Sequence, residues 1–243
     1  MNYLTWLFDP ARWVGPDAEL PSRILEHLGY TALTMVISIA VAVPIGAWIG
    51  HTGRGGGIVV GLGNGLRALP TLGLLILLTL PFGISLTGPL IALIVLAVPA
   101  VLAGTYAGVR NVEPSVVDAA IGMGMRSTTV LFRVELPNAL PLIIGGIRSA
   151  VLQVVATATI AAYVGLNGLG RLIFDGLAQH DFPQMIAGAV LVAVLAIIAD
   201  LALAGIQRLI VSPGLRATPR TVARAARPRG TAARPSGSAV EAA

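Results

Sequence analysis

The segment "DAAIGMGMRSTTVLFRVELPNALP", residues 118–141, is the most polar long stretch in the middle of a very apolar chain. Apolar runs long enough to cross a bilayer lie on both sides of it. Glycines and prolines punctuate the segment, and it carries four charged side chains, Asp118, Arg126, Arg133 and Glu135. The pattern predicts a structured loop held between two membrane helices.

Composition points to a membrane protein and excludes several activities. The chain is 56% hydrophobic and 11% charged, against roughly 25% charged residues in a soluble domain. All 16 basic residues are arginine, so no Walker A lysine exists and the chain is not by itself a P-loop ATPase. It has no cysteine and only three scattered histidines, so we expect no metal site and no cofactor.

Five apolar segments have the length of about 20 residues that a membrane helix needs. They are residues 28–50, 58–80, 88–109, 142–165 and 184–210. The predicted fold class is therefore all-α, a polytopic bundle of about five transmembrane helices over residues 28–210. Pro44, Pro70 and Pro99 interrupt the spans, as moving parts or as passive packing features.

Arginine distribution predicts the orientation in the membrane. Ten arginines outside the spans flank the side of the 111–141 loop and the C-terminal tail, whereas only Arg12, Arg23 and Arg171 flank the other side. The loop and tail are thus expected in the cytoplasm, and the 1–27 segment outside it. The tail, residues 211–243, is Arg-rich with few large apolar residues, so we expect it to be disordered and solvated rather than bound to nucleic acid or lipid.

Two short helices are predicted inside the loop. Pro114 suits a first helical position, and residues 116–123 form the first helix, which Gly124 helps to end. Ser127 is a good N-cap for a second short helix, and Pro137 ends it. Because both ends of the loop run into membrane helices, a push on it would tilt those helices as levers.

The spacing within the loop resembles a known motif. The matching residues are Asp118, Ala119, Ala120, then Gly124 after three residues, Val134 after nine more, and Leu136 and Pro137 after one more. This arrangement is similar to the EAA loop of permease subunits in bacterial ATP-binding-cassette (ABC) importers, with Asp118 for Glu and Val134 for Ile. In that family the loop is a coupling helix that sits in a groove of a separate ATPase subunit. The resemblance implies ATPase coupling by these seven residues and no catalysis by this chain.

The resemblance covers residues 27–210. The stretches 69–77, 122–150 and 163–177 look like the osmoprotectant branch, whose members import glycine betaine, carnitine, choline or proline betaine. It implies a MetI-like permease fold in the bacterial inner membrane, two ATPase subunits, an extracytoplasmic binding protein, and a second permease copy or paralogue. Aromatic residues are only 5% of the chain and no aromatic cage for a quaternary ammonium is visible, so the binding protein is expected to select the solute.

Candidate path residues lie in the fourth and fifth spans. Small or polar residues recur every four positions in the fourth span, at Gly145, Ser149, Gln153, Thr157, Ala161 and Gly165. This ridge suits helix packing, within the subunit or across a permease dimer, or a solute path lined by Ser149, Gln153 and Thr157. Asp200 is the only acidic residue well inside a span. It is a candidate for gating or cation passage, or for a structural bond to a neighbouring helix or arginine.

Three alternative functions remain open. The chain could be an ABC permease for another small solute, since neighbouring branches share the architecture. An ATPase-independent secondary carrier or channel would need an ion-coupling site, for which Asp200 is the sole acidic candidate, and usually an internal repeat, which the sequence lacks. A membrane-anchored nucleic-acid binder would use the arginine tail; the primary interpretation includes no nucleic-acid partner.

Overall fold

The computed structural model describes residues 6–15, 18–83 and 85–211, and these parts contain helices and connecting turns but no strand. The predicted tail lies outside the described residues, apart from Val211. The helices are α1 (Leu20–Thr52), α2 (Gly56–Ala68), α3 (Thr71–Thr79), α4 (Thr87–Arg110), α5 (Pro114–Gly122), α6 (Ser127–Val130), α7 (Leu136–Ala161), α8 (Leu169–Gln179) and α9 (Phe182–Ile210). Short 3₁₀ turns occupy Pro10–Arg12, Leu80–Phe82 and Ala162–Val164, and a π-turn occupies Leu131–Glu135.

Within the described ranges, four helices are long and apolar enough to cross a membrane, judged by length and composition. They are α1, α4, the continuous run Ser127–Val164 and α9. The remaining predicted span, 58–80, is present as two shorter helices, α2 and α3, which meet at Leu69 and Pro70. Leu69 is extended, with φ −74° and ψ 136°, because the ring of a following proline disfavours helical geometry. Pro70 therefore interrupts this span, as the sequence predicts. Pro44 and Pro99 do not interrupt theirs, because each lies inside a continuous helix, α1 and α4.

The prediction that Pro137 ends the second loop helix is wrong. α6, the π-turn and α7 form one uninterrupted helical run, and Pro137 is the second residue of α7. The N–H of Leu136 bonds to the carbonyl of Leu131, a wider turn than in an α-helix, which gives the proline ring room. The side chain of Asn138 donates to the carbonyl of Val134 at 2.7 Å. The fourth span thus begins inside the loop, well before residue 142.

Small residues bring α1, α4 and α7 into close contact. A Cβ added to Gly104 of α4 would lie 2.7 Å from the Cα of Gly146 in α7, and one added to Gly46 of α1 would lie 2.8 Å from the Cβ of Thr105 in α4. Two backbones approach this closely only where side chains are absent. The three helices therefore form a tightly packed centre, and the loop projects from one end of it.

The N-terminal residues pack onto the opposite end of α1. Trp6 and Leu7 are buried with Leu20, and the same cluster includes residues of α8 and α9. The guanidinium of Arg12 stacks 3.7 Å from the centre of the Trp6 ring and bonds to Glu19 at 3.0 Å. α8 and the first half of α9 are thereby attached to the start of α1, at the end of the bundle away from the loop.

Candidate functional site

The first half of the loop is a short helix with a fixed end. α5 begins at Pro114, after an extended Glu113 with φ −61° and ψ 125°. It ends in a turn where Gly124 has φ +84° and the N–H of Met125 bonds to the carbonyl of Ala120 at 3.2 Å. A residue with a Cβ is strained at this φ, so glycine is required for the turn. The prediction of a helix stopped by Gly124 is confirmed.

The seven motif residues divide between two places. Asp118, Ala119 and Gly124 are exposed on α5 and its turn, whereas Ala120 is buried against the rest of the protein. Val134, Leu136 and Pro137 lie on the π-turn and the first turn of α7. The second part of the motif therefore shapes the base of the loop, and the first part forms its projecting surface.

The projecting surface of α5 is apolar as well as acidic. Val116, Ile121 and Met123 are all exposed, Met123 to 73%, and Asp118 is exposed on the same short helix. Exposed apolar side chains that are grouped with a charge are typical of a surface that contacts another protein. α5 has the form of a small protruding contact surface.

A cavity of about 420 Å³ lies beside α5. Its walls come from the end of α1, the end of α4, α5 and the π-turn. The polar residues that line it are His51, Arg110, Asn111, Asp118 and Glu135. One side of α5 therefore borders open space rather than packed side chains.

A polar network that sequence reasoning missed joins the loop to α1. Nδ1 of His51 lies 2.6 Å from Oε2 of Glu135, and Nε2 of His51 lies 2.7 Å from Oγ of Ser127. Glu135 is only 6% exposed, and a buried carboxylate requires a partner. The available signal was Glu135 itself, a carboxylate among apolar residues with no opposite charge nearby on its own helical face.

The predicted path residues of α7 are partly brought together. Nε2 of Gln153 donates to the carbonyl of Leu96 at 3.2 Å, and Thr157 donates to the carbonyl of Gln153 at 2.7 Å. A small gap beside Gln153 is lined by Leu66 of α2 and Pro99 of α4. Gln153 thus lies where α2, α4 and α7 meet, next to a proline, while Ser149 is exposed on the outside of the chain.

The close packing of α7 does not follow the predicted ridge. A Cβ on Gly145 would meet nothing within 4 Å, whereas its neighbour Gly146 touches α4. The part of the predicted ridge nearer the loop, Gly145 and Ser149, is exposed, whereas Thr157 and Ala161 are buried. Gly165, beyond the end of α7, is exposed again. The ridge therefore has two environments, with Gln153 at the boundary.

Asp200 forms a bidentate ion pair with Arg148 of α7. Nη2 of Arg148 lies 2.7 and 2.8 Å from the two carboxylate oxygens, and Nε donates at 2.9 Å. Gln207 accepts from Arg148 and donates to the carbonyl of Pro141, both at 3.4 Å. Arg148 is five residues from Gln153, about 140° around the helix, so the pair lies on a different face from Gln153. Asp200 has the structural bond that was one of its two predicted roles.

The fold and the loop define a class: a polytopic helical transport protein with a short contact helix held between two long membrane helices. The chain belongs to the family described as the binding-protein-dependent transport system inner membrane component, whose model matches residues 42–216. This match confirms the resemblance inferred from the loop motif. It also confirms a multi-pass membrane protein of the inner-membrane type.

Similar proteins include osmoprotectant permeases. The chain is 34% identical over 198 residues to the glycine betaine/carnitine/choline transport system permease protein OpuCB of Bacillus subtilis, covering 82% of this chain and 91% of that protein. It is 35% identical over 199 residues to the osmoprotectant import permease protein OsmY of Salmonella typhimurium, covering 81% of each. The carnitine transport permease protein OpuCB of Listeria monocytogenes is 32% identical over 182 residues, covering 75% of this chain and 84% of that protein.

A solved structure has the same fold. One chain of the MetNI methionine ABC transporter in an inward-facing conformation superimposes with a TM-score of 0.69 over 87% of this chain and 100% of that chain. The sequence identity is 21%, so this similarity concerns the fold alone. The predicted MetI-like permease fold is confirmed.

Proposed function

We propose that this chain is the membrane permease subunit of an ATP-driven importer for quaternary-ammonium osmoprotectants such as glycine betaine, choline or carnitine. The observation that carries the proposal is the loop, where motif spacing, a glycine-dependent turn and a protruding apolar surface coincide on α5. The solute class follows from relatives that are 32 to 35% identical over most of the chain.

ATP hydrolysis takes place in two separate ATPase subunits, against which α5 docks. Asp118, Ala119 and the exposed apolar side chains of α5 supply the contact, and Ala120 anchors the helix from behind. Gly124 fixes the angle at which α5 leaves the turn. Val134, Leu136 and Pro137 connect the turn to α7, so a displacement of α5 is passed into the membrane.

The solute passes between this chain and a second permease subunit, either another copy or a paralogue. Gln153 is the central path residue, with Thr157 behind it and the exposed Ser149 at the subunit boundary. It lies beside α2 and the proline of α4, and interrupted helices commonly border transport paths. We assign Asp200 to bracing α9 against α7, because Arg148 neutralises its charge.

We propose that α5 and the C-terminal tail lie in the cytoplasm and residues 1–27 outside. The concentration of arginines on the loop side supports this orientation. An extracytoplasmic binding protein delivers the solute to the outer surface. The outer candidates for its docking site are the segments 80–87 and 166–183.

Reconstituted transport tests the proposal directly. The complete complex of permease, ATPase and solute-loaded binding protein is placed in liposomes, and uptake of labelled glycine betaine, choline and carnitine is measured with ATP or with an imposed ion gradient. We expect ATP-dependent uptake of at least one of these solutes. Uptake driven by the ion gradient without ATP would indicate a secondary carrier, and ATP-driven uptake of methionine in their place would indicate another solute branch.

A further inference from the structure

The end of α1 contacts the loop although it is not connected to it in sequence. The loop is covalently continuous with α4 and α7 only. His51, in the last turn of α1, nevertheless touches two loop residues, Ser127 at the start of α6 and Glu135 at the end of the π-turn. One imidazole ring therefore holds both ends of the segment that joins the turn after α5 to α7. We call these three residues the His51 bridge.

Both nitrogens of the His51 ring take part in the His51 bridge. Nδ1 lies 2.6 Å from the Glu135 carboxyl group, and Nε2 lies 2.7 Å from the Ser127 hydroxyl. A serine hydroxyl can donate or accept a hydrogen bond, so it can satisfy either role of Nε2. Both hydrogen-bonding positions of the ring are therefore used to hold the loop.

Because Glu135 and His51 are largely buried, loss of either partner of this hydrogen bond would be destabilising. The side chain of Glu135 is 8% exposed and that of His51 is 17% exposed. A carboxylate in this position that lost its partner would retain the cost of desolvation without the compensating bond. Beside the polar contact, Ala47 of α1 shares an apolar cluster with Leu131 of the π-turn. Polar and apolar contacts thus attach the end of α1 to the base of the loop.

The link reaches the interrupted span. α1 ends at Thr52, Gly53 turns the chain with φ +68°, and α2 begins at Gly56. A displacement of the loop that is carried to His51 therefore reaches α2 within five residues, and α2 leads to the break at Pro70. α2 also borders the gap beside Gln153.

We infer that the His51 bridge is a second transmission arm of the transport cycle, with His51, Glu135 and Ser127 as positioning residues that make α1 and α2 move with the coupling loop. The inference rests on the proposed function, in which α5 receives its motion from an ATPase. α4 and α7 are driven through the chain itself, and α1 is driven through this polar contact. The bridge links ATP hydrolysis to the part of the bundle that contains the broken helix.

The test measures coupling in the complete reconstituted complex. The probe is labelled glycine betaine, and the readouts are solute imported per ATP hydrolysed, the amount of ATPase that copurifies, and the thermal stability of the permease. For His51→Ala and Ser127→Ala we expect normal copurification and a fall in solute per ATP, of about tenfold for His51→Ala. Ser127→Thr, which retains the hydroxyl, should restore the wild-type ratio.

A matched control lies in the same loop. Thr128 follows Ser127 on α6, is exposed, and its hydroxyl makes no hydrogen bond within the described part of the chain. Thr128→Ala should leave the transport ratio unchanged. If His51→Ala does not fold, Ser127→Ala still tests the bridge, because the hydrogen bond between His51 and the buried Glu135 is kept in that variant.

Failures of the inference and of the proposed function are distinguishable. Wild-type protein that shows no ATP-dependent uptake of any solute would contradict the proposed function. Wild-type protein that couples normally, with Ser127→Ala and His51→Ala equally well coupled, would overturn the inference alone. Loss of ATPase copurification in these variants would also overturn it, since the bridge would then support docking rather than transmission.

Discussion

The centre of the helix bundle and the loop at its end are packed in opposite ways. Where α4 crosses α7, Gly104 and Gly146 bring two backbones into contact, with no room for even one added carbon. Beside α5, a cavity of about 420 Å³ separates the helix from the ends of α1 and α4. A displacement of α5 can be passed into the membrane only if α5 has room to move and the helices it is joined to do not deform. The cavity beside α5 and the close packing of α4 against α7 meet these two requirements.

The largest effect on stability is expected from a methyl group added to Gly104, where α4 crosses α7. Gly104→Ala places its Cβ 2.7 Å from the Cα of Gly146, and backbone atoms cannot move aside cheaply. We expect a loss of about 1–3 kcal/mol of stability, as for other overpacked cores, measured by thermal unfolding in detergent. Gly145→Ala is the matched control, since its Cβ meets nothing within 4 Å. Equal stability of the two variants would show that the crossing is not rigid.

Substitution of Gly124 tests the loop. In contrast to Gly104→Ala, we expect a large effect on transport and a small one on stability. Gly124→Ala has open space for its Cβ but strains a residue at φ +84°, at a cost of roughly 1 kcal/mol. We expect the turn to change its angle, so that ATP-dependent uptake falls strongly while the protein remains folded in the membrane. Uptake by membrane vesicles and an immunoblot measure the two quantities.

Gly122→Ala supplies the control for the loop. Gly122 is helical, it lies two residues before Gly124, and its added Cβ also meets nothing within 4 Å. Uptake by this variant should match that of the wild type. If Gly122→Ala and Gly124→Ala transported equally well, the angle of the turn after α5 would not matter for coupling. The proposal that Gly124 fixes the direction of α5 would then be wrong.

The sequence predicts the loop better than the packing of the bundle, for a physical reason. α5 is encoded locally, by Pro114 at its start and a glycine turn at its end, and these signals act within a few residues. The continuation through Pro137 was missed because the π-turn that accommodates the proline is a tertiary outcome with no local signature. Close approach at Gly146 rather than at Gly145 depends on the helix crossing, which residue spacing alone does not determine.

For the polar contacts, too, the sequence indicates an unusual residue but not its partner. Asp200 was identified from one residue because a carboxylate inside a span is unusual, and an arginine partner was among the expected roles. Its partner, Arg148, lies 52 residues away in sequence, and the partner of Glu135, His51, lies 84 residues away. Pairings at that separation depend on which helices are neighbours. The sequence therefore predicts that Asp200 has a specific role, but only the fold shows that its partner is Arg148.

The ion pair of Arg148 with Asp200 provides a medium-sized test of the rigid part. Both side chains are about one-third exposed, at 31% and 32%, so the effect should be smaller than for a fully buried pair. Arg148→Met alone should destabilise the protein by about 2 kcal/mol because an unpaired carboxylate remains. The double variant Arg148→Met, Asp200→Leu should recover most of that loss. Thermal unfolding of the four proteins in this double-mutant cycle measures the coupling.

Asp200→Asn separates bracing from a role in the path. The amide retains the shape and still accepts a hydrogen bond from Arg148, so we expect wild-type uptake at equal expression. Loss of uptake in a variant that is folded and expressed normally would assign Asp200 to the solute path, and part of the functional site would then lie in the contact between α7 and α9.

The smallest change that we expect to be measurable is at Gln153, where the closely packed centre borders the interrupted span. Gln153→Leu removes the donor to the Leu96 carbonyl and keeps an apolar side chain beside the gap lined by Leu66. If the Gln153 amide also makes one neutral hydrogen bond to the passing solute, its loss costs about 1 kcal/mol of binding, so we expect the KM for solute uptake to rise roughly fivefold, with ATPase copurification unchanged. Thr159→Val, on another face of α7, removes a hydroxyl bonded within its own helix and should leave KM unchanged.

An unchanged KM in Gln153→Leu would assign this residue to packing, and the path would then have to run elsewhere on the permease surface. The exposed half of the ridge around Ser149 would be the next segment of α7 to test, because it is the part that the close α4 contact leaves uncovered.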